Sequence, residues 1–104
     1  MGILTILGFG NGKVKDALRR GAIIIDIRTA HEFDQGKVRG SVNIPIERIN
    51  INLQRIRQMQ KPIIICSNSD SENEKAISFL KANGIKEIYN AGRWTRMLRI
   101  IKSI

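Results

Sequence analysis

Two runs of three consecutive isoleucines constrain this chain more than any other feature: AIIID at 22–26 and PIIIC at 62–66. Isoleucine is β-branched and suits the pleated strand. A strand with one face in water alternates apolar and polar residues; these runs do not. Both faces of each strand must therefore be covered, as in a parallel sheet lying between two helix layers. SVNI (41–44) and EIYN (87–90) are shorter strand candidates.

The segments between these runs read as helices. In KVKDALRRG, Val14, Ala17 and Leu18 share a face and Gly21 supplies the stop. TAHEFDQG (29–36) is a short helix with Thr29 as N-cap and Glu32 three residues on. After Pro45, the spacing of Ile46, Ile49, Leu53 and Ile56 makes one amphipathic stripe. The stretch 71–83 has Ser71 and Glu74 as a capping box, Ala76, Ile77 and Leu80 as its apolar face, and Gly84 as terminator. Near the end, Trp94, Met97, Leu98 and Ile101 form a stripe beside Arg93, Arg96, Arg99 and Lys102. The alternation predicts an α/β three-layer sandwich: a mainly parallel sheet of about five strands with helices on both faces.

At 104 residues the sequence is expected to form a single domain, 1–104. One cysteine allows no internal disulfide, which suits a reducing compartment. The opening MGILTILGFGNGKVK has no basic segment before its apolar residues and is broken by Gly8 and Gly10, so it does not read as a targeting signal. No apolar stretch approaches the roughly 20 residues of a membrane span. A cytoplasmic protein without a membrane partner is expected. The net charge of +9 attracts small oxyanions, acidic proteins or nucleic acid. Aromatic residues are few and not interleaved with the basic ones, so nucleic acid is not the expected partner.

In a parallel sheet, ligands bind beyond the carboxyl ends of the strands. Both isoleucine runs end there with a chemically capable residue, Asp26 and Cys66. Cys66 has two readings: a nucleophile, or a small buried residue closing a strand. The loop that follows, Ser67, Asn68, Ser69, Asp70 and Ser71, has no large side chain and can curl around the sulfur. A helix starting at its end would turn unpaired N–H groups toward the loop, favour a thiolate and cradle an anion. His31, the lone histidine, is far in sequence from the loop; one His and one Cys make no metal site, and no cofactor is expected.

IIIDIRTAHEFDQGKVRGSVNIP (23–45) resembles the signature of the rhodanese family in its Asp-x-Arg, Glu-Phe, Gly and Gly-x-x-Asn-Ile-Pro elements. PIIIC and NGIKEIYNAGRW are similar to the second half of that domain, so the resemblance runs from about Ala22 to Trp94. It implies a sulfurtransferase. Cys66 would take a sulfur from thiosulfate or from a protein persulfide and pass it to a thiophilic acceptor. The six positions Cys66 to Ser71 would be the substrate-binding loop, and Asp26, Arg28 and Glu32 would brace it. Family loops carry basic residues and end in Arg, whereas this loop has none, contains Asp70 and is followed by Glu72. Its negative charge opposes both a thiolate and an anionic donor. Lys37 replaces a His of many relatives, and Arg39, Arg93 or Arg96 are candidates to restore positive potential at the mouth. Tyrosine-type phosphatases and arsenate reductases of the same fold have a longer loop with the Arg that phosphoryl transfer needs, which argues against that reading. A sulfurtransferase using Cys66 and a catalytically weak or inactive binding module therefore both stand.

Overall fold

The computed structural model describes residues 12–104. The N-terminal segment read above for a targeting signal lies outside them, apart from its last few residues. Helix α1 covers 12–19 and leads into strand β1 (Ile23–Asp26). Helix α2 (Ala30–Gln35), strand β2 (Val42–Asn43) and helix α3 (Leu53–Met59) follow. Strand β3 (Ile63–Ser67), helix α4 (Asp70–Ala82), strand β4 (Ile88–Arg93) and helix α5 (Trp94–Lys102) complete the order.

The sheet is parallel throughout, in the order β2-β1-β3-β4. The two isoleucine runs pair rung for rung at its centre, Ile23 with Ile63 through to Asp26 with Cys66. Alternate side chains feed two cores. Ile25, Ile27, Ile63 and Ile65 pack with Ile56 of α3 and with Ala76 and Leu80 of α4. Ile24, Ile64 and Cys66 pack with Val14 and Ala17 of α1 and with Met97 and Ile100 of α5. Helices thus cover both faces, as continuous apolar strands require. Four strands lie among the described residues rather than about five, because no β-branched run beyond the four candidates exists there to supply another.

Local signals set several boundaries. Gly21 and Gly84 have φ of +85° and +90°. Each stops its helix by a paired bond pattern: Gly21 N–H to Leu18 O and Ala22 N–H to Ala17 O, then Gly84 N–H to Lys81 O and Ile85 N–H to Leu80 O. Thr29 and Glu32 form the reciprocal capping box of α2.

Other boundaries move. The stripe after Pro45 begins as two 3₁₀ turns, Ile46–Arg48 and Asn50–Asn52, before α3. Asn52 Nδ2 donates to Arg48 O and Asn50 Oδ1 accepts from Ile51 N–H, local bonds that compete with a regular helix. Helix α4 starts at Asp70, and its N-cap is Ser69, whose Oγ accepts from Glu72 N–H; Ser71 lies inside the first turn. Ser69 has the extended backbone a cap needs (φ −142°, ψ 121°), so it wins over the later serine. On α5 the buried positions are Met97 and Ile100, while Ile101 is 37% exposed.

The cap assignment is testable by urea unfolding. Ser69→Ala is expected to destabilise by about 1 kcal/mol, and Ser71→Ala by much less.

Candidate active site

The carboxyl ends of β1 and β3 place Asp26 and Cys66 side by side. Asp26 is fully buried, and so is most of Arg28. The Arg28 guanidinium grips the Asp26 carboxylate with Nε at 3.0 Å and Nη2 at 2.8 Å, and the Arg28 backbone N–H adds a third donor at 3.0 Å. The remaining donors reach across to α2: Nη1 to Glu32 O at 3.2 Å and Nη2 to Gly36 O at 2.6 Å. Trp94 caps the guanidinium, its ring centroid 4.2 Å away. A Cβ at Gly36 would lie 3.1 Å from that ring, so a residue without a side chain lets the indole close over the pair.

Cys66 is not at the head of an open loop. It lies inside β3, with no exposed surface, among Ala91, Met97 and Val38. Its carbonyl accepts from Ile27 N–H at 3.0 Å. Burial pushes the thiol up to about 12, with the nearby Asp26 carboxylate acting in the same direction and Arg28 partly offsetting it. A β-bulge in β4, opposite Ile65–Ser67, lies beside it.

The predicted six-residue loop shortens correspondingly. Ser67 ends the strand and Asp70 and Ser71 open α4, which leaves Asn68 and Ser69 as the connection. Ser67 turns inward: its Oγ donates to Asn73 Oδ1 at 2.6 Å and accepts from Ser69 N–H at 3.0 Å. Asn73, fully buried, donates to Asn90 Oδ1 at 2.9 Å and to Gly92 O at 3.0 Å. Asn68 Nδ2 reaches Glu32 Oε2 at 3.1 Å. Glu32 is thus shared between its own cap and the turn after β3. Its carboxyl is held below the ordinary range by the Thr29 backbone N–H and then the Thr29 hydroxyl.

In front of this turn is a cleft of about 350 Å³, lined by Arg28, Thr29, Glu32, Glu47, Asn68 and Glu72 among others. Cys66 does not line it. The one cation that does is Arg28, already bound to Asp26, while three glutamates surround it. Arg39, Arg93 and Arg96, the candidates to restore positive potential, are not among its lining residues. Lys37 lies 5.1 Å from the Phe33 ring, and His31 is exposed. Among the described residues no cluster of three or more His, Cys, Asp or Glu is placed to hold a metal ion.

Buried Asp-x-Arg pairing, a cysteine beside it and a parallel sheet of this order converge on one family. The family model of the Rhodanese-like domain matches residues 11–92. The chain belongs to the rhodanese-like domain family. It is 35% identical over 71 residues to the uncharacterized protein YqhL of Bacillus subtilis (strain 168), covering 68% of this chain and 56% of that protein. The chain therefore spans little more than half the length of this relative. Among solved structures it is similar to a rhodanese with anions from E. coli, with a TM-score of 0.65, 21% identity and coverage of 73% of this chain and 91% of that one. It is also similar to reduced Bacillus anthracis CoADR-RHD, with a TM-score of 0.70 and 22% identity over 89% of this chain and 16% of that one. These two likenesses concern the fold.

Sequence reasoning singled out Asp26, Arg28, Glu32 and Cys66; the structure sets Cys66 beside Asp26, which Arg28 grips, while Glu32 meets Arg28 through its carbonyl and faces the cleft that Cys66 does not line. It missed Asn73, Trp94 and Glu47. Asn73 carried a signal: a poor helix former in the first turn of a helix invites the question of what its amide bonds.

Two outcomes follow from this geometry. Asp26→Ala strands a buried guanidinium and is expected to cost about 3–5 kcal/mol in denaturant unfolding. The raised Cys66 thiol stays protonated in the folded state while the unfolded thiol ionises near pH 8.5, so stability falls as pH rises above that value. By pH 10 the wild type should lose about 2 kcal/mol more than Cys66→Ala, measured as the difference between their pH–stability curves.

Proposed function

We propose that this rhodanese-like domain acts as a binding module in which sulfur transfer through Cys66 is weak or absent. The observation that carries this reading is the position of the sulfur: fully buried, one residue inside β3, and not among the residues that line the cleft. Burial, with the Asp26 carboxylate acting in the same direction, raises the thiol well above its ordinary range, so Cys66 is held as the thiol at pH 7. The attacking species is therefore both scarce and inaccessible. The cleft adds a second obstacle. Glu32, Glu47 and Glu72 repel an anionic donor such as thiosulfate, and Arg28 has its charge engaged by Asp26. Such a cleft suits a neutral or cationic group better than an oxyanion. The unpaired cysteine fits a reducing compartment, and we place the protein in the cytoplasm.

One observation favours the enzymatic reading: the cysteine stands at the carboxyl end of a central strand, beside the buried Asp26–Arg28 pair. In that reading the turn at Asn68–Ser69 opens and exposes the sulfur. The Cys66 thiolate attacks the sulfane sulfur of thiosulfate, the S–S bond breaks and sulfite leaves with the electron pair. The persulfide then gives its outer sulfur to a thiol or cyanide, and the Cys66 thiolate returns.

Mass spectrometry of native protein after exposure to thiosulfate separates the two. No gain of a sulfur atom is expected, and alkylation at Cys66 should be at least about 100-fold slower than after denaturation. A gain of one sulfur in native protein, absent from Cys66→Ser, would establish the enzymatic reading instead.

A further inference from the structure

Cys66 stands where the pairing of β3 with β4 breaks. Between the rungs Ile65–Asn90 and Ser67–Arg93, β3 has Cys66 alone while β4 has both Ala91 and Gly92, which bulge opposite the sulfur. Gly92 has φ of +74°, the left-handed backbone that such a bulge asks of glycine. Ala91 shares with Cys66 the core that Met97 and Ile100 of α5 cover.

One side chain holds both segments that flank the sulfur. The Asn73 amide is fully buried in the first turn of α4. Its oxygen accepts from Ser67 Oγ at 2.6 Å, which fixes the residue after Cys66. Its two N–H groups go to Asn90 Oδ1 at 2.9 Å and to Gly92 O at 3.0 Å, which fixes the bulge. Asn90 Oδ1 also accepts from Gly92 N–H at 2.8 Å. On the outer side the turn is fastened by Asn68 Nδ2 to Glu32 Oε2, a bond open to water. Residues 68–72 read Asn-Ser-Asp-Ser-Glu and bring no apolar side chain. Freeing them breaks hydrogen bonds but exposes little apolar surface, so the segment opens at less cost than the whole fold.

We propose that Asn73 is a latch on Cys66. Its release frees the turn at 67–73 and the bulge of β4 together, and the sulfur gains access to solvent while the rest of the fold stays intact. Asn73 acts through Ser67 and Gly92 and is a positioning residue. The inertness of Cys66 is then a switchable state of the domain rather than a fixed property of its core. The proposal rests on the reading of Cys66 as enclosed and adds what encloses it.

The test is the rate at which iodoacetamide alkylates Cys66 in the full-length protein at about pH 8.5, followed by mass spectrometry in urea below the unfolding transition. Local opening exposes little surface, so the wild-type rate is expected to be nearly independent of urea at first and to climb only near the transition. Asn73→Ala should raise the urea-independent rate at least about tenfold, and Ser67→Ala should raise it by less. Ile56→Val thins the core on the opposite face of the sheet; it lowers global stability and should leave that rate unchanged. Circular dichroism establishes which variants are folded. Two results would overturn the latch: a wild-type rate that climbs from zero urea with the slope of global unfolding, or a folded Asn73→Ala protein that reacts no faster than wild type. The first needs no variant, so it decides the matter where Asn73→Ala does not fold. Exposure of the wild type to thiosulfate tests the underlying reading separately. A sulfur gained there overturns the enclosed cysteine itself, whereas an inert wild type with an equally unreactive Asn73→Ala overturns the latch alone.

Discussion

The buried pair of Asp26 and Arg28 is the interaction on which the rest of this structure depends. Taking two charges out of water costs several kcal/mol per ion, and their attraction repays it only when geometry is good and every donor is used. Here the fork of the guanidinium meets the carboxylate, and its remaining N–H groups end on the carbonyls of Glu32 and Gly36. The pair thus fixes where α2 leaves the sheet, and the Trp94 ring over Arg28 fixes where α5 begins. Asn43 completes the arrangement by donating to the backbone carbonyls of Asp26 and Arg28, which holds β2 against the end of β1.

The same pair conditions the chemistry beside it. A carboxylate next to a buried thiol opposes a second negative charge, so Asp26 adds to the burial that keeps Cys66 neutral. Ser67, Asn73 and Asn90 then close the turn from inside with hydrogen bonds among themselves. Each polar group finds a partner within the protein, and no buried side-chain N or O among the described residues is left unsatisfied. A turn whose donors are consumed internally has fewer to offer a bound anion. Order at this site and reactivity at this site draw on the same hydrogen bonds.

Net charge is a poor guide to any one face of such a protein. The chain is strongly basic, yet the cleft at the carboxyl ends of the strands is ringed by glutamates. Screening explains how both can hold. Charges separated by more than about 8 Å are largely screened at physiological salt, so the residues that line the cleft, rather than the sum over the chain, set its potential, and residues 12–22 and 93–104 alone hold +7 of the +9.

What the sequence determined by itself was the part governed by neighbours along the chain. Unbroken β-branched runs require coverage on both faces, which made the parallel sheet and its helix layers legible before any coordinates. Gly21 and Gly84 stop their helices because a left-handed residue suits glycine, and Thr29 with Glu32 caps α2 through bonds spanning three residues. The Asp-x-Arg motif and its nearness to Cys66 were legible for a similar reason, since two matched strand ends place them side by side. Which serine caps α4, whether Cys66 faces solvent or α5, and which faces the cations occupy were decided by tertiary structure alone. Those outcomes depend on which side of a strand a residue falls and on what packs over it. Two serines two residues apart are equivalent caps on paper. Only the inward bonds of Ser67 and Asn73 set the turn so that Ser69 takes the role and the sulfur stays inside.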